Sequence, residues 1–195
     1  QRGALYAMQN DSLISAREVR EPVEHNDQIF ESFDGITYQK GGGVLGMIER
    51  YAGEDAFRNG IRHHLNRYAD QSANAEQFME SLAQGAELTE IEPIFASFIS
   101  QPGIPLVRLT LDCEQDVSIS LSQQRYAPLG SAIDSDSTRW QVPVCVSTGR
   151  GNTVSESCHL LAEAKATFEL GGTCPDFVFP NAGGSGYYRF TLSSA

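Results

Sequence analysis

The pattern of the chain changes once, and abruptly, at Gln101-Pro102-Gly103. Before this tripeptide, apolar residues recur at three- and four-residue spacing; after it they alternate or fall in short runs. Proline lacks the amide that a helix needs and glycine frees the backbone to turn, so helical structure should stop there. The expected organisation is a helical portion over 1–100, a linker at 101–103 and a β portion over 104–195.

Within the helical portion, Thr37 to Ala52 sets Tyr38, Gly41, Gly42, Val44, Leu45, Ile48, Tyr51 and Ala52 on one face, with Gly53 as the stop. Glu54 and Asp55 open a second helix carrying Phe57, Ile61, Leu65 and Tyr68. Asn74 with Gln77, and Thr89 with Glu92, each match the reciprocal capping box that satisfies orphan amides at a helix start. The last of these helices would bury Ile91, Ile94, Phe95, Phe98 and Ile99.

In the β portion, strands are expected at Leu106–Leu111, Val117–Leu121, Trp140–Val146, Cys158–Leu161, Ala166–Leu170, Phe177–Phe179 and Tyr187–Leu192. Short strands at this spacing, separated by Gly, Pro, Asn and Asp, argue for a β-sandwich. All four cysteines lie here, either as buried thiols of a reducing cell or as two disulfides of an oxidising compartment. Cys145 and Cys158 are equidistant from the Gly151-Asn152 turn and would face one another across a hairpin, which favours disulfides and leaves Cys113 for Cys174.

Composition excludes some functions. With 25 acidic and 14 basic side chains the formal charge is −11, which repels nucleic acid and anionic lipid at long range. No stretch approaches the roughly 18 apolar residues of a membrane span. His25, His63, His64 and His159 show no metal-binding spacing, and the cysteines lack close pairs, so no metal site is expected within the chain. His63 and His64, adjacent on a helix, read as solvated. Gly41-Gly42-Gly43 lies inside a helical pattern, where small residues for close packing explain it better than a phosphate cradle. Asn10-Asp11-Ser12 fits the N-glycosylation sequon, a pattern common by chance. The opening Gln1 to Tyr6 has no signal-peptide blocks and the closing Tyr187 to Leu192 reads as a strand, so the sequence is expected to be an internal segment of a longer polypeptide.

One segment is more specific. Phe33-Asp34-Gly35-Ile36-Thr37-Tyr38-Gln39-Lys40-Gly41-Gly42 resembles the F-D-x-[IV]-[ST]-Y-x-K-G-[AG] stretch of the gluzincin zinc aminopeptidases, the family of aminopeptidase N. The resemblance continues through Ala7-Met8, Asp11-Ser12-Leu13, Arg20-Glu21-Pro22-Val23 and Gly53 to Arg58. It extends to Gln101 to Pro105, Gln123-Gln124-Arg125-Tyr126, Trp140 to Val144 and Asn181 to Arg189, so it covers nearly the whole chain. It implies an α+β multidomain protein: the helical C-terminal part of a thermolysin-like catalytic domain, followed by an immunoglobulin-like β-sandwich. Phe98 stands where many members have Trp.

By that resemblance the parent is a zinc metallo-aminopeptidase acting on peptides, with its zinc motif and third glutamate ligand upstream and a C-terminal helical domain downstream; the disulfide reading of the cysteines makes it secreted or periplasmic. The fragment alone would hold no zinc and be inactive. Tyr38 matches the tyrosine whose phenol, protonated at neutral pH, donates to the tetrahedral intermediate. Phe33 matches an aromatic position lining the pocket for the first side chain of the substrate. A core role is the alternative for each. For the whole protein the alternative is a non-catalytic scaffold or binding protein that keeps the same architecture.

Overall fold

The computed structural model describes residues 2–20, 25–26, 34–114, 116–136 and 138–193. It is a mixed helix and sheet structure: helices first, then two sheets. The helices are α1 (Arg2–Asp11), α2 (Gly41–Ala52), α3 (Glu54–Arg67), α4 (Ala75–Ala86) and α5 (Ile91–Ile99), and one π-helical turn, Ile36–Lys40, leads directly into α2. Gly53, at φ +86°, ends α2 and opens α3 where the sequence places a stop. Glu54 and Asp55 fill the first turn of α3 and bind Arg58 one turn on, favourable at the positive end of the helix dipole.

The two expected capping boxes fare differently. Asn74 accepts from the Gln77 amide and Gln77 returns the bond to the Asn74 amide, both at 2.9 Å. The Thr89–Glu92 box does not form, because Glu90 already has helical angles and stands at the cap position. Pro93 then falls in the first turn, where its missing amide needs no partner. The apolar face of α5 is buried as expected, whereas Leu65 of α3 stands 64% exposed. Helices α3 and α4 meet where Gly60 faces Gly85: a Cβ at Gly60 would lie 2.6 Å from the Leu82 carbonyl oxygen, and one at Gly85 2.5 Å from the Cβ of His63. Glycine here is a packing requirement rather than a break.

The seven strands are β1 (Pro105–Asp112), β2 (Ser118–Arg125), β3 (Val142–Arg150), β4 (Thr153–Leu161), β5 (Lys165–Glu169), β6 (Phe177–Phe179) and β7 (Arg189–Ser193). One sheet has the order β5-β2-β1-β7 and the other β4-β3-β6. Val107 and Leu109 of β1, Ile119 and Leu121 of β2, and Val142, Val144 and Val146 of β3 belong to one buried cluster. Along β3, Pro143 and Cys145 are buried as well as the alternate valines, so both faces of this strand are covered, one by the other sheet and one by α2. This double covering explains the unbroken apolar run in the sequence. Gln123 cross-links the sheets: its amide nitrogen donates to the carbonyls of Trp140, Leu161 and Glu163, while its oxygen accepts from the Trp140 amide.

Cys145 pairs with Cys158 across the β3–β4 ladder, and Cys113 after β1 with Cys174 before β6. The second bond ties the two sheets together at one end. Closing loops of these lengths is worth about 3 and about 4 kcal/mol respectively in the chain-entropy description.

The buried cluster does not stop at the change of architecture. Met47, Ile48, Phe98 and Ile99 from the helices share it with Ile104, Trp140 and Tyr187, which lie just ahead of β1, β3 and β7. The α3–α4 contact gives a direct test. Gly60→Ala should destabilise the chain by about 1 to 3 kcal/mol through overpacking against Leu82. Gly46→Ala, on α2 with nothing within 4 Å of the added carbon, should stabilise it by about 0.5 to 1 kcal/mol. Urea unfolding of the two variants beside the parent chain reads both signs.

Candidate active site

The motif segment forms the wide π turn. Asp34 closes its front: Oδ1 accepts the Thr37 amide at 2.9 Å, as a helix cap does. Arg17 braces this cap, with Nη2 2.7 Å from Asp34 Oδ1 and 3.1 Å from the Thr37 hydroxyl, and Nη1 donating to the Glu18 carbonyl. Slight burial pushes the Asp34 carboxyl up, but the Thr37 amide and the Arg17 guanidinium outweigh it and hold the group below the usual carboxylate range.

Tyr38 rides at the middle of the turn and is 61% exposed, while Ile36 and Lys40 on either side point inward. The expectation that Tyr38 shares the apolar face of Val44 and Ile48 is therefore corrected. A π turn holds one more residue than an α turn, so residues before it fall out of phase with the 3.6-residue repeat of α2. Among the described residues Tyr38 does not belong to the buried cluster. Phe33, the expected neighbour in the substrate pocket, lies outside the described residues.

Lys40 closes the back of the turn. Its side chain is 0% exposed, as is that of Asp11, and Nζ stands 2.9 Å from Asp11 Oδ2. Its other contacts are the carbonyls of Gln101 at 2.9 Å and Gly103 at 3.4 Å, so three donors meet three acceptors. Asp11 is equally satisfied: Oδ1 accepts the Gly103 amide at 2.8 Å and Oδ2 also accepts the Tyr187 hydroxyl at 3.2 Å. Burial drives the Asp11 carboxyl up and the Lys40 amine down, each opposed by the attraction of its partner. Burial and the adjacent Asp11 push the Tyr187 phenol far above its ordinary range, so it stays a donor. Sequence reasoning assigned no role to either member of this pair. The one signal was a lysine inside an otherwise apolar and glycine-rich helical pattern.

The three glycines after Lys40 differ among themselves. A Cβ at Gly43 would meet the Tyr187 ring at 2.8 Å and Ala4 at 3.0 Å, whereas Gly41 and Gly42 have nothing within 4 Å. Close packing therefore explains Gly43 alone. A groove of about 470 Å³ runs beside this stripe, lined among others by Ala4, Gly46, Glu49, Tyr188 and Arg189.

Among the described residues no group of three or more His, Cys, Asp or Glu side chains could hold a metal ion. The cysteines are consumed in disulfides. His64, expected to be solvated, packs between Tyr68 and Phe78 with Nδ1 2.7 Å from the Ser81 hydroxyl, and His159 Nε2 is 2.9 Å from the Ser157 hydroxyl. These donors do not fit a zinc ion.

Comparison with known proteins decides the family. Residues 2–98 match the peptidase family M1 domain. The chain is 34% identical over 140 residues to probable aminopeptidase 1 of Sulfurisphaera tokodaii, covering 72% of this chain and 17% of that protein. The chain belongs to the M1 peptidase family. It is also 27% identical over 183 residues to leucyl aminopeptidase of Saccharolobus solfataricus, covering 94% and 22%, and 25% identical over 184 residues to puromycin-sensitive aminopeptidase of Caenorhabditis elegans, covering 94% and 19%. The chain thus spans about a fifth of the length of these relatives.

Two outcomes are expected. Asp34 has a depressed folded value, so its contribution is complete above the unfolded value of 3.8 and is lost as pH falls through the folded one. Asp34→Ala should therefore cost about 1 kcal/mol near pH 6, and progressively less below about pH 4, in paired urea titrations. A cost that stays constant with pH would mean the carboxylate charge plays no part. Purified alone, the chain should hold no stoichiometric zinc and leave an aminoacyl-chromophore substrate intact, and one tightly held zinc by metal analysis would overturn the donor-set argument.

Proposed function

We propose that this chain is part of a zinc metallo-aminopeptidase that removes N-terminal residues from peptides, and that Tyr38 donates a hydrogen bond to the oxyanion of the tetrahedral intermediate. The observation that carries this reading is an exposed phenol at the middle of a turn pinned at both ends, inside the segment that resembles the family motif. Such a donor acts on charge that develops only in the transition state, and its fixed direction avoids reorganisation at the moment of reaction. In the same reading residues 1–100 are the helical C-terminal part of a thermolysin-like catalytic domain and 104–195 an immunoglobulin-like β-sandwich. Phe33 lines the pocket for the first side chain of the substrate.

Zinc, which the family implies, is in this reading held by residues of the parent polypeptide upstream of this segment, and the fragment alone is inactive. A C-terminal helical domain completes the parent. Two disulfides fit an oxidising compartment, and we assign the protein to the periplasm or the extracellular space on that ground. No helix among the described residues is long and apolar enough to cross a membrane.

The test is Tyr38→Phe in the full-length parent. It should lower kcat by about 10² to 10³, equivalent to about 3 to 4 kcal/mol, with KM within about twofold of wild type. Zinc content and melting temperature should not move, because the aromatic ring is kept and no zinc ligand is touched. A kcat within about threefold of wild type would make Tyr38 a bystander.

A further inference from the structure

The π turn Ile36–Lys40 runs directly into the α-helical register of α2. It holds one residue more than an α turn and is rare as an isolated structure, so something outside its own backbone must select it. Two clamps do so here. At the front are Asp34 and Arg17, on the exposed side of the molecule. At the back is Lys40, whose partners all come from other segments: Asp11 at the end of α1, and the Gln101 and Gly103 carbonyls at the change of architecture. If the turn relaxed into the register of α2, the Lys40 side chain would leave these partners, and Tyr38 would swing by about one residue's rotation, about 100°.

We propose that Lys40 and Asp11 are positioning residues for Tyr38: from the buried side, their ion pair fixes the direction in which the exposed phenol points. The inference rests on the reading of Tyr38 as the oxyanion donor. Neither residue touches substrate, since both side chains are fully buried. Lys40 and Tyr38 lie two residues apart in the same turn, on opposite sides of it, so an inward anchor dictates the outward direction. Tyr187 extends the arrangement into the β half. Its hydroxyl holds Asp11 Oδ2, its ring closes on Gly43, and its amide faces Met47 Sδ at 3.4 Å. The direction of the phenol is thereby set jointly by α1, the 101–103 turn and the segment before β7.

A pair that only held the molecule together would change the folded fraction and leave the turnover of each folded molecule alone. A positioning pair lowers kcat, and its effect disappears once there is no hydroxyl left to aim. The experiment is a double-mutant cycle in the full-length parent with Lys40→Met, Tyr38→Phe and the double variant, with kcat and KM corrected for folded enzyme. Misplacing a catalytic group by about 1 Å can cost on the order of 10²-fold, so Lys40→Met should lower kcat tenfold or more with KM within about twofold. Added to Tyr38→Phe, it should slow the enzyme no further. A wild-type kcat for Lys40→Met, or an equal slowing in both backgrounds, overturns the proposal while leaving Tyr38 as donor. A wild-type kcat for Tyr38→Phe removes the underlying reading and this inference with it. Should Lys40→Met not fold, Tyr187→Phe, which deletes one hydroxyl from Asp11, makes the same comparison. There a roughly threefold loss of kcat that vanishes in the Tyr38→Phe background is expected, and no loss overturns the proposal.

Discussion

A lysine ammonium and an aspartate carboxylate with no access to water form the joint on which this structure turns. Taking both charges out of solvent is costly, and the arrangement survives because every hydrogen-bonding position is filled, by the Gln101 and Gly103 carbonyls on one side and by the Gly103 amide and Tyr187 hydroxyl on the other. Removing one partner from such a pair strands the other, at a cost of about 3 to 5 kcal/mol. The pair therefore does more than add stability. It defines where α1, the π turn, the connector and the segment before β7 must lie with respect to one another, which an apolar contact of the same size would leave looser.

What the sequence revealed and what it hid follow from the range of each interaction. The Asn74–Gln77 box was legible because donor and acceptor lie within one turn and nothing distant competes. The seven strands were legible because alternation and turn residues are local signals, and the Cys145–Cys158 pairing because a hairpin fixes the register from its own tip. The Thr89–Glu92 box misled because the chain enters α5 already helical at Glu90. Tyr38 was placed on the wrong face because periodicity assumes a uniform 3.6-residue repeat, and one inserted residue shifts everything upstream of it. Asp11 and Lys40 carry no sign of their role in the sequence, since nothing local marks which charged residue will be buried against which.

The motif can now be read residue by residue as one device. Asp34 and Thr37 close the front, Ile36 fills the interior, Tyr38 is presented outward, Lys40 anchors the back and Gly43 lets the tyrosine ring of the β half come close. Belonging to the M1 family and carrying this device are separate statements, one resting on similarity along the chain and the other on geometry. The aminopeptidase reading needs both.

The connector at residues 101–103 deserves a different description from the one its composition invites. A Gln-Pro-Gly sequence reads as a pliable joint between modules, yet here its carbonyls and its Gly103 amide are committed to buried charges, and Ile104 directly after it is fully enclosed. Added chain would be tolerated at exposed tips such as Leu129 to Ser131, not at this seam. In evolutionary terms the two halves are a single heritable unit. A recombination event that joined this helical half to a foreign β half would have to bring a tyrosine to Asp11 and a strand to the outer face of α2, so crossovers at the very point where the architecture changes should be among the least viable in the chain.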